Sequence, residues 1–506
     1  MVRGKRAGSR EDSDIVEHGR NGRYLLAAIG MESRGAMPAP EGANEEWLPE
    51  NLMKNLTDSR PYQAPERDCT RRILFWTVVA ALAVRLVVVG FVYPGFLDPG
   101  RDHWEFGYET GKIARSIVLG QGFSNPMYWT NSGPTAEIAP VFPYLLAGIM
   151  AVLGIYTKAS ALAMLALNSL FSALTCIPIF FLAKRTFGLR EARWAAWIWA
   201  FYPYAVYYSA DSMWDHALTG LLLACLLLLA LHLQSSTRLW EWAGFGLLWG
   251  FSALTNPVVL GTLPFLAGWV CYRLRRQGRS WRFPAGTAVF AVIIALAPWL
   301  IRNYRAFHQP VFLKDGFPIV FLDGNFGNTV HWWNGALDPC GSAAELAEFQ
   351  RVGEQAYMGE KRRQMFALIK SEPGMILWRS VRRFVYMWTG YWSLRREYLR
   401  EEPFDPPNIV FCSAFTLLAV LGLSKAFRRN PEKAMPYVLV LVVYPMIYYF
   451  THSDIAYRHP LDPEIVILGS YAVVSWLRAR QGSESRSRLP RTDMEPSLTS
   501  GTEVGC

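Results

Sequence analysis

Five carboxylates crowd one short polar stretch of this chain, between two apolar blocks. Residues 95–139 carry Asp98, Asp102, Glu105, Glu109 and Glu137. Residues 104–119 can form an amphipathic helix, with Trp104, Tyr108, Ile113 and Ile117 on a membrane-facing side. On that helix Asp102, Glu105 and Glu109 fall at i, i+3 and i+7, one face. A carboxylate held there can take the proton of an acceptor hydroxyl as it attacks carbon. The plainer reading is a solvated acidic face, with Asp102 as helix cap and Glu105 favouring the dipole. A second group of polar residues falls at the ends of other apolar blocks: Asp211, Asp215 and His216; Arg302, Asn303 and Arg305; His452, Asp454, Arg458, His459 and Asp462. Arginines can clamp a phosphate bidentately. Arg85, midway along the first apolar block, needs a partner there, either an ion pair or an anionic ligand.

The elements that must hold these residues are membrane helices. The 506 residues are 52% hydrophobic and 18% charged, below the roughly 25% charge of soluble domains. The apolar residues gather in blocks long enough to span a bilayer, such as ILFWTVVAALAVRLVVVGFVYP at 73–94. The expected fold is an all-α polytopic membrane protein of about 10–11 helices. Candidate spans lie near 73–94, 140–156, 160–183, 193–209, 216–233, 242–256, 257–272, 284–303, 407–424, 434–450 and 462–477.

The net charge of +10 does not indicate nucleic acid. Its basic residues flank apolar blocks at Arg71–Arg72, Arg273 to Arg282, Lys425 to Arg429 and Arg478 to Arg480, as cytoplasmic loops do. That pattern puts both ends inside and two large loops outside: loop one (95–139) and loop two (304–402). Residues 1–70 and 478–506 read as disordered cytoplasmic tails. The first apolar block is expected to serve as an uncleaved anchor. The divisions are thus 71–303 with loop one, loop two, and C-terminal helices at 403–477. Eight candidate spans precede loop two, where an odd number is required. Either 140–156 is re-entrant, which the charges of KRTFGLREAR (184–193) favour, or 242–272 is one kinked helix. Of seven cysteines only Cys340 falls in a loop, so no disulfide framework is implied.

Several motifs occur in order: IARSIVLGQGFS, GPTAEIAPVFPYLLAGIMAVLG, ALTNP (253–257), APWLIRNYRAF (297–307), DGNFGN (323–328) and YRHPLDPEIVIL (457–468). Over residues 73–477 this pattern resembles membrane glycosyltransferases of the GT-C fold. More closely it resembles glycosyltransferase family 39, with the protein O-mannosyltransferases and the lipid A aminoarabinose transferase. The resemblance favours the single kinked helix at 242–272. It implies a polyprenyl-phosphate-linked sugar donor and a lipid, glycan or protein acceptor. It also implies an active site on the non-cytoplasmic side of the cell (inner) membrane and a loop-one aspartate as base.

The family's Asp-Glu pair is absent here, since His103 follows Asp102. Ungapped counting from Ala114 and Gly120 gives Glu105 as the base, and a short insertion gives Asp102; Glu109 comes third. Substrate binding is expected of Arg85, Glu137, Arg302, Asn303, Asn325, Arg458, His459 and Asp462; the resemblance favours donor-phosphate contact for Arg458 and matches Glu137 to an acid that helps organise the site. Capping and turn roles are the plainer readings of Arg302, Asn303, Asn325 and Arg458. Metal is implicated in the lipid A relatives. Because this chain lacks their Lys-Pro-Pro pattern, no cofactor is certain and a divalent metal is a candidate. HWW at 331–333 suits an interface belt or a sugar platform, and 361–383 a membrane-parallel helix.

Two other functions fit the composition. A transporter or flippase of polyprenyl-linked sugars should show internal repeats and polar residues at the midplane, but here the polar clusters lie at one end of the helices. A glycan-binding membrane protein would not need the acidic first loop. Replacing Asp102 and Glu105 by Asn and Gln together should abolish sugar transfer without lowering membrane abundance, measured by blotting. Full transfer by that variant would sink the loop-one mechanism.

Overall fold

The computed structural model describes residues 64–92, 106–127, 131–210, 213–327, 337–401 and 405–487. Along the chain the helices are α1 (Ala64–Val92), α2 (Glu109–Val118), α3 (Val141–Leu153), α4 (Lys158–Leu174), α5 (Cys176–Thr186), α6 (Leu189–Ala200), α7 (Pro203–Ala210), α8 (His216–Leu233) and α9 (Leu239–Thr255). A 3₁₀ turn (Pro257–Thr262) leads into α10 (Leu263–Arg276) and α11 (Arg282–Phe307). Loop two holds α12 (Phe317–Asn325), α13 (Ala343–Val352), α14 (Glu354–Ser371), α15 (Pro373–Thr389) and α16 (Arg396–Glu401). Then come α17 (Asp405–Arg429), α18 (Pro431–Val443), α19 (Met446–Phe450), α20 (Ile455–Arg458) and α21 (Asp462–Ser487).

Every apolar block expected to span became helix, because lipid offers the backbone no other hydrogen-bond partner. Among the described residues seven helical stretches are long and apolar enough to cross: Thr70–Phe91, Lys158–Thr186, α8, Pro257–Arg276, α11, α17 and Pro431–Phe450. The broken pair α6–α7, α9 and α21 cover the other expected spans except 140–156. That block became α3, whose 13 residues extend about 20 Å, short of a hydrocarbon core of about 30 Å.

Contacts between helix ends decide the parity. Trp249 in α9 donates its indole N–H to the Val259 carbonyl at 3.3 Å. Beyond α10, Gln277 reaches back to the Gln234 carbonyl, just before α9, at 3.1 Å. The chain therefore reverses at Asn256–Pro257, and 242–272 is an antiparallel hairpin, not one kinked helix. Both ends of α3 instead share one cluster: Phe142 and Met150 pack with Val89 of α1, Ala114 of α2 and Met164 of α4. So α3 lies across the helix ends without crossing.

The other ten expected spans are helical, and seven helices among the described residues are long and apolar enough to cross. The tie between Lys433 and the Arg185 carbonyl (3.2 Å) and the ion pairs Arg273–Glu432 and Arg478–Glu191 gather the basic ends on one face. Both loops lie at the opposite, loop face.

Helices in lipid associate through close packing, which small residues permit. Along α9, Gly246 and Gly250 meet Ala288, Ala291 and Ala295 of α11; a Cβ at Gly246 would fall on the Ala288 carbonyl and 2.8 Å from the Ala291 side chain. Loop two also differs from expectation. Residues 361–383 form two helices, because Pro373 ends the first. Along α15, Ile376, Ser380, Arg383 and Met387 are buried while Leu377, Trp378, Val381 and Phe384 are exposed. The α15 end is tied to α17, whose Thr416 hydroxyl donates to the Trp388 carbonyl at 2.6 Å.

Gly246→Ala should cost about 1–3 kcal/mol by overpacking. The check is a lowered thermal midpoint of the detergent-solubilised chain.

Candidate functional site

Loop one returns as a turn and not as the helix expected from residue 104. Gly107 has φ 77° and Tyr108 φ 51°, outside helical values, so α2 starts only at Glu109. Glycine is required at 107, where a Cβ would sit 2.5 Å from the Met213 carbonyl. Asp102 and Glu105 lie outside the described residues, as do Asp211 and HWW 331–333. The expected acid face is therefore interrupted before Glu109. Ile113 is fully buried in the helix core with Ala81, so this side of α2 packs on protein instead of lipid.

Glu109 meets loop two. Its Oε1 is 3.8 Å from the Cys340 thiol, and the preceding Tyr108 hydroxyl donates to the Cys340 carbonyl at 3.2 Å. Cys340 in turn donates its backbone N–H to Asp338 Oδ1 at 2.7 Å. Lys112, one turn along, stands over the Tyr108 ring at 3.7 Å.

Glu137 closes the other end of loop one. It is 8% exposed, and its Oε2 has no hydrogen-bond partner. Its neighbours are fixed: the Ala136 N–H donates to Glu354 Oε1 at 2.6 Å, and the Ala136 carbonyl accepts from the Asp315 N–H at 3.1 Å. Asp315 also accepts from Gln355. The site thus joins Glu109 and Glu137 of loop one to Asp315, Asp338 and Glu354 of loop two.

Crowding carboxylates out of water favours their protons. Burial first, then repulsion by Asp338, raises Glu109 to about 7. Burial, followed by Asp338, Glu109, Glu354 and Asp315, drives Glu137 well above its ordinary value. Asp323, whose Oδ1 accepts the Leu337 N–H at 3.0 Å, rises to about 7 by burial and then Asp338. A carboxyl poised near neutrality suits acid–base work.

The other candidate residues fall behind or beside this cluster. Arg302 donates to the Thr135 carbonyl (2.6 Å) and the Phe123 carbonyl, holding loop one. Asn303 donates to the Val311 carbonyl at 3.2 Å. Asn325 ends α12, so DGN is helical and not a tight turn; it accepts from Arg383 at 3.2 Å and donates to the Phe450 carbonyl at 2.8 Å.

Arg458 and His459 both bind Asp462, at 3.2 and 3.0 Å. This fully buried trio continues to Tyr202 and Thr416. Arg85 is buried too, bonded to Ser172 and to the carbonyls of Ala81, Trp199 and Ala200. The last two end α6, so Arg85 caps the α6–α7 break.

Sequence reading missed Asp315, Asp338, Glu354 and the cations Lys112 and Lys314. The one local signal was polar punctuation in loop two, KDG and DPCG. For the candidate divalent metal, no three His, Cys, Asp or Glu side chains among the described residues are placed to hold an ion. No step is assigned to a metal.

The family described as dolichyl-phosphate-mannose-protein mannosyltransferase matches residues 137–301. No curated protein sequence matches the chain. Among solved structures it is similar to the Archaeoglobus fulgidus oligosaccharyltransferase complex with Zn and sulfate, at 13% identity and TM-score 0.44, over 80% of this chain and 50% of that one. It is also similar to AglB of that organism with an inhibitory peptide and a dolichol-phosphate, at 13% and 0.41 over 83% and 52%. A third is ArnT from Cupriavidus metallidurans bound to undecaprenyl phosphate, at 15% and 0.37 over 83% and 81%. The chain spans about half the length of the archaeal chains it matches. Among the described residues it is an all-α polytopic membrane protein, with seven helices long and apolar enough to cross. The segment 137–301, which ends within α11, carries its likeness to the mannosyltransferase family, in keeping with the family 39 resemblance.

Glu109 and Asp323 hold their protons more tightly folded than unfolded, where 4.5 and 3.8 are ordinary. They therefore contribute most to stability below those values, and the contribution is lost as pH rises towards about 7. The thermal midpoint should fall between about pH 5 and about pH 8, and Asp338→Asn should flatten that fall. A midpoint independent of pH over this window would contradict the raised values.

Proposed function

We propose that this chain is a membrane glycosyltransferase. It moves a sugar from a polyprenyl-phosphate donor to a hydroxyl of a lipid, glycan or protein acceptor. The family description, which names a dolichyl-phosphate sugar, supports the donor class. The observation that carries the reading is the meeting of Glu109 and Glu137 with Asp338 of the second loop, around a buried carboxylate oxygen without a partner. The basic helix ends support a non-cytoplasmic loop face in the cell (inner) membrane.

In this mechanism a loop-one carboxylate accepts the acceptor's proton while the acceptor oxygen attacks the anomeric carbon. The bond from that carbon to the phosphate oxygen breaks, and polyprenyl phosphate leaves with the electron pair. Glu109 is the described candidate for the base, beside Asp102 and Glu105. With a pKa near 7 it is substantially ionised at neutral pH yet basic enough to take a proton. Burial and the surrounding carboxylates raise Glu137 well above its ordinary value.

Glu109→Gln should lower transfer by about 100-fold or more at unchanged membrane abundance. The assay follows radiolabelled sugar from polyprenyl phosphate into membrane acceptors, with and without chelator. Full transfer by Glu109→Gln and also by the Asp102→Asn, Glu105→Gln variant would overturn the reading.

A further inference from the structure

The turn between α11 and α12 is held at Val311, Leu313 and Asp315. The Val311 carbonyl accepts from Asn303 and the Leu313 carbonyl from the Trp299 indole at 2.8 Å. Asp315 is bound on its backbone to Ala136 and on its side chain to Gln355. Leu313 is 2% exposed with φ 56°, and the Lys314 N–H closes a three-residue turn on the Phe312 carbonyl at 2.7 Å. A leucine resists this left-handed backbone, so the surroundings impose it, as they do at strained functional positions. Beside exposed Phe312, the turn presents one cation, Lys314, exposed between buried Leu313 and Asp315.

A Cβ at Gly316 would lie 3.3 Å from Glu137 Cγ and 3.9 Å from Lys314 Cε, so the Lys314 side chain runs beside Glu137, and its charge favours the ionised forms of Glu109 and Asp315. Lys112, the other cation acting on Glu109, is buried over the Tyr108 ring. A phosphodiester approaching five carboxylates is repelled unless a cation meets it. We propose that Lys314 binds the phosphate of the lipid-linked sugar donor and stays paired with it as the sugar–oxygen bond breaks. This rests on the glycosyltransferase reading and adds a donor-binding residue from loop two.

The test uses the full chain in nanodiscs, with undecaprenyl phosphate as binding probe and lipid-linked sugar as donor. Lys314→Met should weaken probe binding and raise the donor KM by about 10- to 100-fold, with a smaller effect on kcat. Lys314→Arg should keep most of both and the wild-type thermal midpoint. Wild-type transfer accompanied by unaltered binding and KM in Lys314→Met overturns the Lys314 assignment alone. Absence of both probe binding and transfer in the wild type overturns the glycosyltransferase reading and this assignment with it.

Discussion

One turn of α11 holds both loops. Trp299 and Asn303 bind the turn at 311–313, while Arg302 binds the Phe123 and Thr135 carbonyls. The Arg302 guanidinium lies 4.9 Å from the Trp299 ring and 5.2 Å from Phe123, an aromatic cradle that lets a cation serve as a fixed strut. At a membrane boundary, loop backbone away from water must find its partners in the protein. Because the loops find theirs on the same helical turn, Glu137 and Lys314 hold a fixed relation although 177 residues separate them in sequence.

Two kinds of buried charge follow from this arrangement. Arg85, Arg458 and Asp462 are surrounded by partners, and such satisfied networks brace helices. The loop-face carboxylates keep open atoms: Glu137 Oε2 and Asp323 Oδ2 have no hydrogen-bond partner. Burying such groups together is unfavourable for folding alone, so their gathering points to chemistry.

The spans were legible because lipid thickness and backbone hydrogen bonding leave few alternatives to helix. Parity was not, since it turned on whether Asn256–Pro257 bends or reverses the chain. That is a question of contacts such as Trp249 to Val259. Glu109 and Glu137 were legible as loop-one acids. Asp338 was not, because what brings it to Glu109 is the packing of Cys340 and Tyr108 across 232 residues. The start of α2 was misread because periodicity ignores the backbone angle that close approach to Met213 demands of Gly107. DGN read as a turn by composition, whereas the anchoring of Asn325 by Arg383 and the Phe450 carbonyl accompanies a helix end there.

Tyr108 and Leu313, both at positive φ, each precede the charged residue that their loop contributes. Glycine would relax either backbone but delete a side chain that packs between the loops. Selection for heat resistance alone would therefore favour replacements that detach Glu109 or Lys314 from its anchor. Thermostabilised forms of this chain would be poor guides to its working geometry, and the sturdiest crystal need not hold the native arrangement of its loops.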